Sequence, residues 1–354
     1  VKVGVTAESR PGERRVACLP ATVPLLTGTG LTVLIQTGAG RHARATDDDY
    51  ARAGARIVDE LSAAALVVAV RPPEPDTLRA GATVVALTDP PNPQALADKD
   101  ITAYSLSRLP RITRAQGMDA LSSQALVAGY RAVLLAAERL PRFLPMFTTA
   151  AGTIAPAKVL VLGAGVAGLQ AIATARRLGA VVTAYDVRAA AVEEVRSLGA
   201  KFLDLGLGTQ DGTGGYAAAQ SEDFLARQRE ALAKQVAVSD VVITTAAVPG
   251  RPAPVLVTSG MVEGMPPGSV VVDLAAESGG NCELTVAGRE VDHGGVSVLG
   301  AVDVPSGLPV HASQLYARNV ANFVRHLTQD GELRADAADD EILAGCRVPL
   351  GGNG

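Results

Sequence analysis

The chain has 354 residues and carries 32 Lys and Arg against 36 Asp and Glu, a formal net charge of −4. It lacks the basic excess that releases counterions from nucleic acid, so a nucleic-acid partner is not expected. At about 150 residues per domain the length predicts two domains, and with 48% hydrophobic residues, no Trp, six Tyr and five Phe their cores must be aliphatic.

Cys18, Cys282 and Cys346 lie far apart, with no CxxC pair and no Cys/His cluster. Neither a disulfide framework nor a metal site is expected, and a reducing cytoplasm fits best. The most apolar stretches, such as 63–70 and 159–169, fall short of the roughly 20 residues a membrane helix needs. The N-terminus enters a strand pattern directly, without the basic and apolar regions of a signal peptide.

In chain order, 2–6, 31–37, 66–70, 83–87 and 101–106 read as strands, alternating with Ala/Leu-rich helical segments. This is a βα repeat with a mostly parallel sheet. The pattern breaks at 110–113. From Asp119 to Leu140 apolar residues recur at three- and four-residue spacing, which predicts one long connecting helix. A second βα series has expected strands at 158–162, 181–186, 201–205, 240–245, 269–274 and 296–299. Glycine-rich 206–215 reads as an exposed mobile loop, followed by a charged helix over 221–238. After Pro309, residues 312–327 read as a helix returning to the first domain, and 331–354 as a poorly ordered tail. The expected division is 1–122 with 312–330, a connecting helix at 123–140, and a nucleotide-binding domain at 141–311. The fold class is therefore α/β: two doubly wound, Rossmann-like domains joined by long helices.

The strongest chemical signal is Gly163-Ala-Gly165-Val166-Ala167-Gly168, directly after a strand and opening a helix. Gly163 permits a tight turn, Gly165 a close approach of pyrophosphate, and Gly168 close packing of helix on strand. Phosphates would then sit on the helix N-terminus, where free N–H groups and the helix dipole favour anions. Eighteen residues past Gly168 the next strand ends at Asp186, placed to receive the adenosine ribose hydroxyls. A carboxylate there repels a 2′-phosphate, so NAD(H) is expected rather than NADP(H). Arg188 could meet a phosphate, lie over the adenine, or be a solvated cation.

Before the long helix, Arg111, Gln116, Asp119, Ser122 and Ser123 concentrate polar side chains. Asp119 can be a helix N-cap, the serines first-turn residues and Arg111 a surface cation. Alternatively the junction faces the cofactor, with Gln116 bonding the nicotinamide end and Arg111 paired with Asp119.

Arg114-Ala-Gln-Gly-Met-Asp119-Ala-Leu-Ser-Ser-Gln124, Ala128-Gly-Tyr-Arg-Ala-Val133, Gly163-Ala-Gly-Val-Ala-Gly168, Asp240-Val-Val-Ile-Thr-Thr245 and Gly279-Gly-Asn-Cys-Glu283 resemble the alanine dehydrogenase/transhydrogenase family over roughly residues 1–328. Within it they are similar to the NAD(H)-binding alpha subunit of proton-translocating transhydrogenase. The resemblance implies a homodimer that binds NAD(H) and exchanges hydride with NADP(H) held by a partner domain. A separate membrane-spanning subunit would move the protons, holding this chain on the cytoplasmic face of the inner membrane. It further implies nicotinamide contacts at Arg111, Gln116, Asp119 and Ser122. Cofactor contacts are implied at Gly163, Gly165, Val166, Ala167, Gly168, Asp186, Val187, Arg188, Tyr216, Thr245 and Ala246, with Tyr216 on a mobile loop. Taken alone, a Tyr after glycines is a surface anchor. Gly307 and 217–220 depart from the family pattern and bear on partner contact and loop dynamics.

Alanine dehydrogenases need a Lys after the fourth strand, a His after the fifth and an Asp beside the nicotinamide. Here Arg71, a stretch around Leu87 without His, and Glu277 stand instead, which argues against iminium chemistry. Direct hydride transfer needs positioning rather than a general acid or base. His42, His293, His311 and His326 read as surface or cap residues, and Cys282 as a small buried residue rather than a nucleophile. A non-catalytic NAD(H)-binding module is the third reading.

Overall fold

Six short runs, mostly β-branched, form β1 (Lys2–Val5), β2 (Thr32–Gln36), β3 (Arg56–Val58), β4 (Leu66–Val68), β5 (Thr83–Ala86) and β6 (Thr102–Ser105). They pair in parallel in the order β3-β2-β1-β4-β5-β6, with Val3 between Val33 and Leu66. The connections hold α1 (Val23–Thr27), α2 (Asp47–Arg52) and α3 (Pro93–Ala97). α2 starts at a capping box: Thr46 Oγ1 accepts the Asp49 N–H while the Asp49 carboxylate accepts that of Thr46. The computed structural model describes residues 1–207, 221–247 and 251–349. The chain divides into two units, Val1–Gln124 with Pro305–Gly354, and Ala125–Val304.

The strand order of the first unit is the doubly wound one, in which a ligand crevice opens where the order reverses, between β1 and β4. No glycine fingerprint follows β1. Instead Glu8 accepts the N–H groups of Val70 and Arg71, at 2.6 and 3.1 Å, and the Thr6 hydroxyl. A carboxylate therefore stands where a nucleotide phosphate would otherwise be received. Burial pushes the Glu8 carboxyl up to about 7, against the pull of those backbone donors.

α4 (Ala120–Arg139) is the long helix expected from periodicity. It corrects one expectation, because its length and composition alone would suffice to cross a membrane. The physical reason for its apolarity is packing: Ala120 is buried in the first unit's core, and Val127, Ala132, Val133 and Ala136 are buried in the second unit.

In the second unit β7 (Phe147–Thr149) and β8 (Gly152–Ile154) form an exposed antiparallel ribbon. Then come β9 (Lys158–Leu162), α5 (Val166–Arg177), β10 (Val181–Tyr185), α6 (Ala191–Ser197), β11 (Lys201–Phe202), α7 (Glu222–Val236), β12 (Val241–Thr244), α8 (Ser259–Glu263), β13 (Val270–Asp273), β14 (Glu290–His293) and β15 (Val296–Gly300). The sheet order is β11-β10-β9-β12-β13-β15-β14, with β9 at the switch point. Val159 pairs with both Val182 and Val241. All pairs are parallel except β14 on β15. Two doubly wound α/β sheets are thus present, as the alternating pattern predicts. The sequence reading omits β3, β7, β8 and β14. β3 has only three residues, and β14 alternates polar and half-buried residues at a sheet edge, so neither shows the apolar run of a buried strand.

The chain then returns to the first unit in α9 (Pro309–Leu327), which starts with Pro at its first position and buries Tyr316, Val320, Phe323 and Val324. The Tyr316 hydroxyl donates to the Ala69 carbonyl at 2.7 Å. Beyond it lie β16 (Thr328–Gln329), β17 (Glu332–Leu333) and α10 (Glu341–Cys346). This corrects the expectation of a poorly ordered tail for 331–349. Asp340 caps α10, accepting the N–H groups of Ile342 and Leu343, and the helix buries Ile342, Leu343 and Cys346 in the unit's core. The acidic residues that suggest disorder are the cap and exposed face of a short amphipathic helix. The observed boundaries, 124/125 and 304/305, differ from the expected ones because the first turn of α4 and all of α9 group with the first unit.

Candidate nucleotide-binding site

β9 delivers the chain into the glycine turn, and each glycine there has a different reason. Gly163 has φ +98°, and a Cβ on it would stand 2.6 Å from Thr245 Oγ1. A Cβ on Gly168 would come 1.9 Å from the Gly163 carbonyl oxygen, so only glycine lets α5 pack on this turn. A Cβ on Gly165 meets nothing within 4 Å. Gly165 is the N-cap of α5 and offers no side-chain cap. The 12-residue helix therefore opens beside free space at Gly165, the arrangement in which first-turn N–H groups can receive a phosphate.

Asp186 directly follows β10, and its side chain is 8% exposed. Its Oδ2 accepts the Ala164 N–H at 2.7 Å and Arg188 Nη2 at 3.1 Å, and its Oδ1 accepts the Arg188 N–H and Nε at 2.9 and 3.0 Å. Arg188 also donates to the Ala164 carbonyl. Three roles are open to Arg188 from sequence, and the structure gives it a fourth: it braces Asp186 against the glycine turn. Val187, between them, is buried, while Val166 at the start of α5 is exposed.

Thr245 and Ala246 follow β12. Thr245 Oγ1 donates to the Gly163 carbonyl at 3.0 Å, fixing the turn from across the switch point. Ala246 is held by Asn281, whose Oδ1 accepts its N–H at 2.9 Å and whose Nδ2 donates to its carbonyl at 2.8 Å. Asn281 in turn hangs on Asp273, fully buried at the end of β13, which accepts the N–H groups of Asn281 and Cys282 and the hydroxyls of Thr244 and Thr285. Sequence reasoning assigns neither Asp273 nor Asn281. A buried Asp ending an apolar strand is the available signal.

Gly129 also escapes the sequence reading. A Cβ there would lie 2.0 Å from the Ala167 carbonyl oxygen, so α4 packs backbone to backbone on the first turn of α5. Ala167 contributes that carbonyl. Tyr216 lies outside the described residues.

In the first unit, Arg111, Gln116, Asp119 and Ser122 are carried by the segment entering α4. Arg111 and Gln116 are exposed, Gln116 on the 3₁₀ turn Thr113–Met118. Asp119 accepts the Ser122 N–H at 2.9 Å and the Ser122 hydroxyl at 2.6 Å. The cap reading of Asp119 is thus correct as geometry, and it joins two of the four residues.

Nearby in the same unit is a buried ion cluster. Glu13 accepts Arg15 Nε and Nη2 at 2.7 and 2.6 Å, Arg71 Nε at 3.2 Å and the Ser306 hydroxyl at 2.6 Å. Burial alone would raise the Glu13 carboxyl, but the hydrogen bonds and charge of Arg15, with Ser306, hold it down at about 2. Arg71, standing where an amine-handling Lys would be needed, is engaged in this structural cluster. His293 pairs with Glu263 and His326 with Asp340. Cys282 is buried, and that burial pushes its thiol up to about 11, which makes it inert as a nucleophile.

Residues 4–128 match the family described as Alanine dehydrogenase/PNT, N-terminal domain, and residues 132–352 its C-terminal domain. The chain is 46% identical over 372 residues to an NAD(P) transhydrogenase subunit alpha chain of Rhodospirillum rubrum, covering 99% of this chain and 97% of that protein. It resembles the solved transhydrogenase of Sinorhizobium meliloti with a TM-score of 0.88 and 43% identity, covering 98% of both chains. Alanine dehydrogenase of Bacillus subtilis is more distant, at 28% identity over 99% of this chain and 91% of that enzyme. The glycine turn, the two doubly wound sheets and these likenesses agree: the chain belongs to the alanine dehydrogenase/PNT family, nearer to its transhydrogenase subunits than to its alanine dehydrogenases.

Proposed function

We propose that this chain is the NAD(H)-binding component of a proton-translocating transhydrogenase. NAD(H) supplies the hydride carrier, and the chain's own residues bind and orient it. The observation that carries the reading is the glycine cradle at Gly163, Gly165 and Gly168 with the braced carboxylate of Asp186 beside it. The N–H groups opening α5, with Val166 and Ala167, receive the pyrophosphate. Asp186 accepts the ribose hydroxyls and disfavours a 2′-phosphate, with Val187 and Arg188 flanking the adenosine. Thr245, Ala246 and Tyr216 complete the cofactor contacts. Gln116 bonds the nicotinamide end, Arg111 pairs with Asp119, and Ser122 holds Asp119 in place. No general acid or base is required, since two nicotinamide rings exchange hydride directly and positioning carries the rate. The acceptor or donor is NADP(H) on a partner subunit; a homodimer of this chain docks, through a membrane-spanning partner, on the cytoplasmic face of the inner membrane.

The test is reconstitution of the full chain with its NADP(H)-binding partner, measuring reduction of an NAD analogue by NADPH. Turnover only in the mixture, with no alanine-dependent NAD reduction by the chain alone, is the expected outcome. Vigorous alanine oxidation would replace this reading with an alanine dehydrogenase, and inactivity with a competent partner would leave a binding module.

A further inference from the structure

The turn that carries Gln116 is held by a helix some 200 residues away in sequence. A 3₁₀ turn has poor internal hydrogen-bond geometry and seldom persists without outside support. Here the Gly117 carbonyl accepts the side-chain amides of both Asn319 and Asn322, at 3.0 and 2.9 Å. The two asparagines are three residues apart on α9 and so share one face of it. Gly117 has no room to spare there, since a Cβ would stand 3.1 Å from Asn322 Nδ2.

The orientation of the Asn319 amide is itself determined. Its Oδ1 accepts the Ser123 hydroxyl at 2.7 Å, and the Ser123 oxygen accepts Gln124 Nε2 at 3.3 Å. Gln124 Oε1 accepts Arg15 Nη1 at 2.9 Å, and its Nε2 also donates to the Ala312 carbonyl. The Gly117 carbonyl can only accept, so Asn319 turns its NH₂ to it and its Oδ1 to Ser123, whose hydroxyl also lies 3.1 Å from the Ala120 carbonyl. The chain of bonds runs from the buried Arg15–Glu13 pair through Gln124 and Ser123 to Asn319 and the residue next to Gln116. Arg15 can only donate, which fixes the Gln124 amide at one end of the chain, as the acceptor-only Gly117 carbonyl fixes Asn319 at the other.

We propose that Asn319 and Asn322 are positioning residues for hydride transfer: by gripping the Gly117 carbonyl they fix the direction in which Gln116 presents its amide. The inference rests on the role given to Gln116 above.

The experiment uses the full chain reconstituted with its NADP(H)-binding partner. Asn319→Ala, Asn322→Ala and Gln116→Ala are made singly, and each asparagine change is also combined with Gln116→Ala. Each asparagine variant is expected to slow hydride transfer about tenfold while shifting NADH affinity by no more than about twofold. Added to Gln116→Ala, each should slow transfer no further, because the group it positions is gone. Asn322 is only partly buried, so Asn322→Ala carries the test if Asn319→Ala does not fold. Unchanged rates in the asparagine variants, or losses that add in full on Gln116→Ala, would overturn the proposal while leaving Gln116 its role. A wild-type rate in Gln116→Ala would overturn the Gln116 role and the proposal together.

Discussion

Thr245 Oγ1 donates to the carbonyl of Gly163 at 3.0 Å and occupies the space that a Cβ at Gly163 would need. The end of β12 and the glycine turn after β9 are therefore one unit, and the turn's shape depends on a hydroxyl about 80 residues away in sequence.

Thr245→Val keeps the shape and removes that donor, leaving the Gly163 carbonyl without it at a cost of about 1 kcal/mol. NADH affinity should fall about fivefold, and Thr245→Ser should retain it. Fluorescence titration with NADH reads both; equal affinity in all three proteins would separate the turn from Thr245.

Gly165 and Gly168 should respond oppositely to alanine. Gly165→Ala puts a methyl into open space and should cost stability no more than about 1 kcal/mol, as a poorer N-cap, while weakening NADH binding at least about tenfold. Gly168→Ala drives a Cβ onto the Gly163 carbonyl and should destabilise the chain by about 3 kcal/mol or more. Urea denaturation alongside NADH titration distinguishes a ligand-facing glycine from a packing one.

On the role proposed for Asp186, Asp186→Asn removes the charge that disfavours a 2′-phosphate and takes from Arg188 the carboxylate it braces. NADH affinity should fall about tenfold and NADPH affinity should rise, narrowing the preference between them. Parallel titrations with the two nucleotides check this, and equal loss for both would count against the ribose role.

Arg111→Ala should lower the rate of hydride transfer about a hundredfold while changing NADH affinity far less. Single-turnover measurement in the reconstituted system separates the two. Matching losses in rate and affinity would make Arg111 a general binding group instead.

Glu8 and Glu13 give stability opposite pH dependence. The folded value of Glu8, raised from 4.5 to about 7, makes the folded chain the tighter proton binder. Its contribution is fully present below pH 4.5 and is lost as the pH rises to about 7. Glu13, lowered from 4.5 to about 2, contributes fully above pH 4.5 and loses that contribution as the pH falls toward 2. Glu8→Gln should therefore flatten the fall in denaturation midpoint between pH 4.5 and 7 and leave the acid limb unchanged. Glu13→Gln leaves Arg15 buried without its counter-ion and should cost about 3 kcal/mol at neutral pH.

The glycine turn, Asp186, the long α4 and the two βα series are legible in the sequence because each is a local pattern: turn, strand and helix succeed one another within a few dozen residues, and period and glycine spacing report them directly. The tail reads as disordered because composition reports the exposed face of α10 and not Ile342, Leu343 and Cys346 beneath it. Asn319, Asn322, Asn281 and Asp273 are illegible for a further reason. A polar residue in a helix or at a strand end has no periodic signature, and its partner, as with Asn319 and Gly117 at 202 residues' separation, is chosen only when the sheets and helices have packed. Local pattern alone shows the main strands, the long helices and the glycine turn. Packing selects which buried amides and carboxylates hold that chemistry in place, because a buried polar group must find its partner wherever the fold brings one.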